Sequence, residues 1–355
     1  MIVSNSKSGC VPLERSGKRL PASVGISDHA AMAASAEIIA RTCSAIYDKS
    51  EYARRNPGKP RIAYVTIGTP DYDWGVRVLL RSLRRTTSVP IFVLMTSPWE
   101  IRTEVPDTYA VEVPILARID DHRERKEFGS TYSKLWVFGL SGFDRIIFLD
   151  ADMLVLKSLD TLFDERDFLV CRDSVERANS DRFNSGLFAF TPSEDLVAKI
   201  REQAAEAYSY DGGDQGLLNT IFRGDVRYMN SEVNTLKHYM FFSNSDLSKD
   251  NVRAIHYIVK KPWEIWYREI TDGFSIDVED LWTKFLTHSE LQALVSQWRR
   301  NQFLAERPRF DLTRNPSRVR NAMGLRLRHV AAIVAAGIVF SLSIFVTGFL
   351  LGKHG

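Results

Sequence analysis

Apolar residues recur along the middle of the chain with two different periods. Short apolar runs, each rich in β-branched and aromatic side chains, predict strands at residues 62–67, 91–95, 109–113, 168–171 and 186–190. Apolar residues at helical spacing predict helices at residues 28–48, 74–85, 131–140 and 194–208. This alternation predicts an α/β fold, with a mixed, mostly parallel sheet flanked by helices.

One further strand runs directly into two carboxylates. Residues 146–149 are apolar and typical of an interior strand, and Asp150 and Asp152 follow at its carboxyl end. Open α/β sheets bind their ligands at such ends. Burying a carboxylate without a partner costs several kcal/mol or more, by an order-of-magnitude estimate. This Asp-x-Asp (DXD) pattern therefore favours a divalent cation between the two side chains.

The first sixty residues differ in pattern from the middle of the chain. Residues 1–27 lack periodicity and predict a flexible arm, and the helix at 28–48 either packs on the domain or mediates association, so a homodimer stays open. A cluster of helix-breaking residues begins at Asn56 and ends at Pro60. We therefore expect an N-terminal region over residues 1–60 and a main domain over residues 61–305.

The C-terminal end has the features of a membrane anchor. Residues 330–351 carry no charge and are long enough to cross a bilayer as one helix. The linker before them, residues 306–329, contains seven arginines. By the positive-inside rule we expect a single-pass anchor with the domain facing the cytosol, the lipid bilayer as a partner and a membrane-associated acceptor. An amphipathic helix around residues 291–298 either lies on the membrane surface or caps the core.

Composition adds little. The formal net charge is +3, and we expect no nucleic-acid partner. The three cysteines are scattered without metal-ligand spacing, which fits a reduced compartment.

Four further stretches, together with the two aspartates, form an ordered set of motifs. They contain, in order, Thr66 to Tyr72, Asn184-Ser185-Gly186, Asp211-Gly-Gly-Asp214-Gln215, and His256 followed by Lys261-Pro262-Trp263. In this order and spacing they resemble the glycogenin-like family of retaining glycosyltransferases, family 8, which have the Rossmann-like GT-A nucleotide-sugar fold. The resemblance runs from about residue 62 to residue 263.

The resemblance implies a UDP-sugar donor and Mn²⁺ as the cofactor. Asp150, Asp152 and His256 match the family's metal ligands, and two oxygens with one nitrogen suit this ion. Lys261 follows closely enough to reach the same phosphates. The resemblance also implies that Thr66 and Tyr72 contact the uridine. It places Lys134, Asn184, Ser185 and Asp211 in contact with the donor. Asp214 and Gln215 match the catalytic groups. Alternatively, Thr66 is an ordinary strand residue and Lys134 a solvated helix lysine.

We therefore expect a membrane-anchored, metal-dependent retaining enzyme that moves a hexose or hexuronic acid to a lipid, glycan or protein acceptor. One departure from the family is Val259, where glycine is common, which puts donor affinity in question. No stretch matches the self-glucosylated tyrosine region of glycogenin. Two alternatives stay open: an inactive GT-A scaffold and a sugar nucleotidyltransferase. A haloacid-dehalogenase-type phosphatase is disfavoured because Met153-Leu154-Val155 follows the aspartates where threonine is expected.

Overall fold

The computed structural model describes residues 11, 13–14, 20–117, 131–173, 181–237, 249–258, 261–264 and 276–306. They fall in two compact units, Met1–Asn301 and Gln302–Gly355, and in the second unit only the end of one helix is described. Val259, most of the arginine-rich linker and the predicted membrane span at 330–351 lie outside these residues. Among the helices that are described, none has the length and apolarity needed to cross a membrane.

The centre of the first unit is an eight-stranded sheet. Its strands are β1 (Leu13–Glu14), β3 (Ile62–Gly68), β4 (Ile91–Met95), β5 (Thr108–Glu112), β7 (Arg145–Leu149), β9 (Leu169–Arg172), β10 (Phe183–Phe190) and β11 (Arg227–Met229). They lie side by side in the order β1-β5-β4-β3-β7-β10-β9-β11. Only β10 runs antiparallel to its neighbours. The mixed, mostly parallel α/β sheet is therefore confirmed.

Two smaller sheets lie beside the large one. They pair β2 (Ser23–Gly25) with β6 (Ile115–Ala117), and order β12 (Thr235–Leu236), β13 (Ala254–His256) and β8 (Met153–Val155) side by side. In the second of these, β13 runs antiparallel to β8, with His256 opposite Met153. This pairing brings the histidine to the chain segment that immediately follows the two aspartates.

Helices pack on both faces of the large sheet and on the small sheet that contains β8 and β13. They are α1 (His29–Tyr47), α2 (Glu51–Arg55), α3 (Asp73–Arg84), α4 (Glu194–Gln203), α5 (Asp214–Ile221), α6 (Ile276–Thr283) and α7 (His288–Glu306). Short 3₁₀ helices span Pro70–Tyr72, Thr131–Gly139, Asp160–Phe163, Ser231–Val233 and Lys249–Asn251. One face of the sheet packs against α1, the 3₁₀ helix Thr131–Gly139, α4 and α5, and the other packs against α3.

The N-terminal region differs from the prediction. The flexible arm predicted for residues 1–27 is wrong for the described part, since β2 pairs with β6 and Val11 is buried. Strands of two or three residues are too short to show the alternation that a sequence pattern needs. Helix α1 buries Ile39 and Cys43 in the core, so it packs on the domain and belongs to it.

Helix α7 also packs on the domain. Leu294 is fully buried in an aromatic cluster with Trp263 and Trp282. At the N-terminal end of the helix, the Glu290 carboxylate accepts hydrogen bonds from both Nη atoms of Arg81, at 2.6 and 2.8 Å. These contacts agree with the core-capping alternative for this helix.

Other differences are smaller. The helix predicted at 131–140 is a 3₁₀ helix, Thr131–Gly139, with the side chains from Tyr132 to Phe138 all buried. The helix predicted at 194–208 ends at Gln203, and the strand predicted at 186–190 begins at Phe183. The earlier start of β10 matters, because Asn184 and Ser185 are then part of the strand.

Candidate active site

The carboxyl ends of the central parallel strands meet the start of β10 at one edge of the sheet. β3 ends at Gly68 and β7 ends at Leu149, just before Asp150. Because β10 runs antiparallel to β7, its first residues lie at this same edge. The Asp150 backbone N–H donates to the Gly186 carbonyl at 2.7 Å and joins the two strands there.

A cavity of about 390 Å³ opens at this edge. That volume is within the range of small-molecule sites, roughly 300–1,000 Å³. Every predicted site residue except Thr66 lines it, namely Tyr72, Lys134, Asp150, Asp152, Asn184, Ser185, Asp211, Asp214, Gln215, His256 and Lys261. The structure thus brings together residues from widely separated stretches of sequence.

Thr66 is placed differently. It lies within β3, is 1% exposed, and is not among the residues that line the cavity. Its buried Oγ1 has no hydrogen-bond partner in the part of the chain that the structure describes. This position matches the alternative of an ordinary strand residue.

Three side chains of the types that bind metal ions converge in the cavity. The ligand atoms of Asp150, Asp152 and His256 all lie within 4.8 Å of one another. His256 Nε2 is 3.1 Å from Asp152 Oδ1 and 3.9 Å from Asp150 Oδ2. Two carboxylates and one imidazole in a buried position form a donor set that fits a divalent cation such as Mn²⁺.

Two lysines flank this cluster. The Lys261 ammonium donates to Asp152 Oδ2, and its Nζ lies 5.9 Å from the centre of the Tyr72 ring. Lys134 Nζ lies 2.8 Å from Asp150 Oδ1 and 2.6 Å from Asp214 Oδ2. Lys134 is therefore a buried, doubly paired cation at the cavity wall and not a solvated helix lysine.

The pKa values of Asp150 and Asp152 are shifted in opposite directions. Burial raises the pKa of Asp150, and the positive charge of Lys134 only partly opposes this. Burial also acts to raise the pKa of Asp152, but His256 and Lys261 outweigh it and hold that pKa below its usual range. The contacts with His256 and Lys261 therefore favour the anionic form of Asp152, which is the form that binds a cation.

Asp214 and Gln215, the first residues of α5, line the cavity beside this cluster. Asp214 Oδ2 accepts a hydrogen bond from Ser185 Oγ at 2.8 Å in addition to the Lys134 contact. The Gln215 amide is fixed at both ends, since Oε1 accepts from the Ser185 N–H at 3.2 Å and Nε2 donates to the Tyr210 hydroxyl at 3.1 Å. Both groups face the cavity in a defined orientation.

Asp211 shapes the loop before α5. Its Oδ1 accepts hydrogen bonds from the backbone N–H groups of Gly213 at 2.9 Å and Gly216 at 3.0 Å. A Cβ at Gly216 would lie 2.5 Å from that oxygen, so glycine is needed for this close approach. Asp211 thus lines the cavity and also holds the loop that precedes the two catalytic candidates.

Ile67, Gly68 and Thr69 belong to the stretch from Thr66 to Tyr72 but were given no individual role, and Thr96 and Thr131 lie outside the singled-out motifs; all five line the cavity. Thr96 directly follows β4. The rule that ligands bind at the carboxyl ends of parallel strands would have found it. Tyr72, predicted to contact the uridine, lines the cavity and packs edge-on against Trp263 with ring centroids 5.4 Å apart.

Comparison with known proteins agrees with this geometry. The family model "Glycosyl transferase family 8" matches residues 117–267. Glycogenin-1 of Mus musculus is 31% identical over 236 residues, which cover 61% of this chain and 70% of that protein. The chain belongs to glycosyltransferase family 8. It is a UDP-sugar glycosyltransferase.

Other relatives and a solved structure extend the comparison. The putative UDP-glucuronate:xylan alpha-glucuronosyltransferase 4 of Arabidopsis thaliana is 29% identical, over 66% of this chain and 42% of that protein. The crystal structure of an active-site mutant of LgtC matches 65% of this chain and 99% of its own length, with a TM-score of 0.50 and 21% identity. The match to LgtC supports a GT-A-like fold for this chain.

Proposed function

We propose that this enzyme is a metal-dependent, retaining glycosyltransferase that moves a hexose or hexuronic acid from UDP to an acceptor at a membrane. The observation that supports this most is the convergence of Asp150, Asp152 and His256 in a cavity that Asp214 and Gln215 also line. A cation-type cluster beside two oriented polar groups suits a donor whose diphosphate is bound by a cation and whose sugar lies next to it.

The cation cluster and Lys261 would balance the negative charge of the diphosphate. A bound Mn²⁺ ion would neutralise the phosphate oxygens of the donor and of the departing UDP. Lys261 is close enough to exchange its contact with Asp152 for one with a phosphate oxygen. Tyr72 presents an aromatic ring in the same cavity, which suits stacking with the uracil base.

Asp214 and Gln215 suit a transfer in which the acceptor attacks the sugar ring from the same face that the phosphate leaves. In a retaining transfer the leaving phosphate and the incoming hydroxyl occupy the same side of the ring, and positive charge develops at the anomeric carbon. The Asp214 carboxylate and the Gln215 carbonyl oxygen, both fixed by hydrogen bonds, would stabilise that charge. The Arabidopsis relative is by name an alpha-glucuronosyltransferase, and an α-linked product from an α-linked donor is retention.

The proposed activity is tested with purified protein and a panel of UDP-glucose, UDP-galactose and UDP-glucuronate, with and without Mn²⁺. We expect metal-dependent release of UDP from at least one donor and an α-linked transfer product by the proton NMR coupling constant. A β-linked product would overturn retention. An inactive scaffold would bind UDP without turnover, and a nucleotidyltransferase would release pyrophosphate from UTP and a sugar phosphate.

The proposed membrane anchor rests on the sequence of residues 330–351 and the arginines before it. Juxtamembrane basic residues are each attracted to anionic headgroups by about 1 kcal/mol. We expect truncation at Pro316 to give an enzyme that still hydrolyses UDP-sugar but transfers poorly to a membrane-borne acceptor. Equal transfer by the full-length and truncated forms would contradict this. Protease digestion in sealed vesicles tests whether the domain faces the cytosol.

A further inference from the structure

Asn184 lies between the cation cluster and the catalytic amide. It is the second residue of β10, and only 7% of it is exposed. Its side-chain oxygen is 3.0 Å from His256 Nδ1, and its side-chain nitrogen donates to Gln215 Oε1 at 3.0 Å. One small amide therefore contacts a proposed metal ligand on one side and a proposed catalytic group on the other.

The orientation of this amide follows from its backbone neighbour. The Gly186 N–H donates to Asn184 Oδ1 at 3.0 Å, and a backbone N–H can only donate. The atom that faces it is therefore the oxygen. Asn234 Nδ2 reaches the same oxygen at 2.9 Å from a position that is 2% exposed.

The orientation of the Asn184 amide determines which nitrogen of His256 carries the proton. Because Asn184 Oδ1 has no hydrogen to give, His256 Nδ1 carries the proton in the bond between them. Nε2 faces Asp152 Oδ1 at 3.1 Å, and when it carries no proton its lone pair is available to a cation. Asn184 thus selects the form of the ring that binds metal.

Gly186 gives the ring the room that this contact needs. A Cβ at Gly186 would lie 2.1 Å from His256 Cε1 and 2.5 Å from Nδ1. The ring therefore packs directly on the backbone of β10. The motif Asn184-Ser185-Gly186 then has three separate tasks: Asn184 binds the imidazole, Ser185 donates to Asp214, and Gly186 leaves space for the ring.

We infer that Asn184 is a positioning residue that fixes the imidazole of His256 for metal binding and orients the Gln215 amide at the same time. This inference rests on the proposed metal site. A rotation of the Asn184 side chain would break the contacts to both residues together. One conformation of Asn184 therefore both supports the Gln215 amide and presents the metal ligand.

The test compares two substitutions. One removes both contacts of the Asn184 side chain, and the other removes only its contact with Gln215. Asn184→Ala removes both, so we expect Mn²⁺ to bind about 10- to 100-fold more weakly, the range found for such supporting residues. Asn184→Asp keeps an acceptor for the Nδ1 proton but has no N–H for Gln215. We expect its Mn²⁺ affinity to stay within about threefold of wild type or to rise, while kcat falls about tenfold or more.

Metal affinity is measured by electron paramagnetic resonance of free Mn²⁺, and kcat by UDP release from the donor. The matched controls are Asn230→Ala and Asn230→Asp, at an exposed asparagine of the same region, which we expect to leave both quantities unchanged. Asn234→Ala should weaken Mn²⁺ binding less than Asn184→Ala does, since two other contacts still hold the Asn184 side chain.

Equal Mn²⁺ binding by wild type and Asn184→Ala would overturn the inference and leave the metal site standing. An equal loss of affinity in both Asn184 variants would also overturn it, since that is the result of a packing defect. If wild type itself does not bind Mn²⁺, the proposed metal site fails first.

A second measurement decides between these outcomes if the alanine variant does not fold. Nitrogen-15 NMR of the metal-free wild type, with the His256 signal assigned by its loss in His256→Gln, reports the tautomer at a pH where the ring is neutral. We expect the proton on Nδ1. A proton on Nε2 would contradict the inference.

Discussion

The indole N–H of Trp298 donates to the backbone carbonyl of Trp263 across 3.1 Å. Trp298 lies in α7, and Trp263 follows Lys261 by two residues, so the helix is tied to the segment that bears this cavity-lining lysine. A second bond, from Trp74 Nε1 to Gln297 Oε1 at 3.0 Å, holds α7 on the helix next to Tyr72. The helix thus supports one wall of the donor cavity from behind.

Trp298→Phe tests this support. The substitution keeps an aromatic ring and removes the N–H, and a lost hydrogen bond of this kind costs about 1 kcal/mol. We expect the KM for the UDP-sugar to rise about two- to fivefold with kcat nearly unchanged, as measured by steady-state kinetics. A fall in kcat at constant KM would mean that the contact acts on the chemical step instead.

Asp152→Asn tests the metal assignment. The change removes a formal charge that a cation needs and keeps the side-chain volume. We expect turnover to fall below detection, Mn²⁺-dependent binding of UDP to be lost in calorimetry, and the circular dichroism spectrum to stay that of wild type. Undiminished Mn²⁺ dependence of UDP binding would show that Asp152 is not a ligand.

Gly186→Ala tests the packing of the histidine ring. The added Cβ would meet the ring of His256, so we expect loss of Mn²⁺ binding and a destabilisation of about 1–3 kcal/mol, typical of overpacking. In a His256→Ala background the ring is gone and the same substitution should cost much less. Thermal or urea unfolding of the four proteins gives the coupling. Additive effects would show that the strain arises elsewhere.

Glu290→Gln tests the attachment of α7 at low pH. Burial acts to raise the pKa of Glu290, but hydrogen bonds from Arg81 and Thr287 outweigh it and hold the pKa at about 2, below the ordinary 4.5. A depressed folded-state pKa stabilises the fold above the unfolded pKa and loses this effect as the pH falls through the folded value. The stabilisation is therefore present above about 4.5 and lost between that pH and about 2.

We expect Glu290→Gln to lower the free energy of unfolding by about 1–3 kcal/mol at neutral pH. The difference from wild type should shrink between pH 4.5 and 2, as measured by urea unfolding at several pH values. Glu51→Gln is the control, because its ion pair with Arg55 is exposed, with side-chain exposures of 48% and 72%. Exposed pairs contribute little. A constant difference across this pH range would contradict the assignment.

Much of the fold could be predicted from local pattern. The strand at residues 91–95 is β4 without any change of boundary, and the strand before Asp150 is β7. These are apolar runs in which a buried strand has a clear sequence signature. The site could be predicted because its polar residues follow such strands or stand in short ordered motifs, and all but Thr66 line the cavity.

The rest depends on contacts between distant segments. The short strand β2 is defined only by its pairing with β6, and nothing in its three residues requires it. Asn184 was predicted to contact the UDP-sugar, but its hydrogen bond to His256 depends on how β10 and β13 are placed relative to each other. Thr66 and Thr69 are alike in sequence, and only the end of β3 separates the buried one from the one in the cavity.

The antiparallel pair of β8 and β13 also has a consequence for biosynthesis. The two aspartates precede β8, and His256 ends β13, roughly 100 residues later in the chain. Synthesis runs from the N-terminus, so the aspartates and every strand of the large sheet are translated before the histidine. A growing chain that has not reached residue 254 has the aspartate pair without the imidazole, and the three side chains meet only when β13 docks on β8.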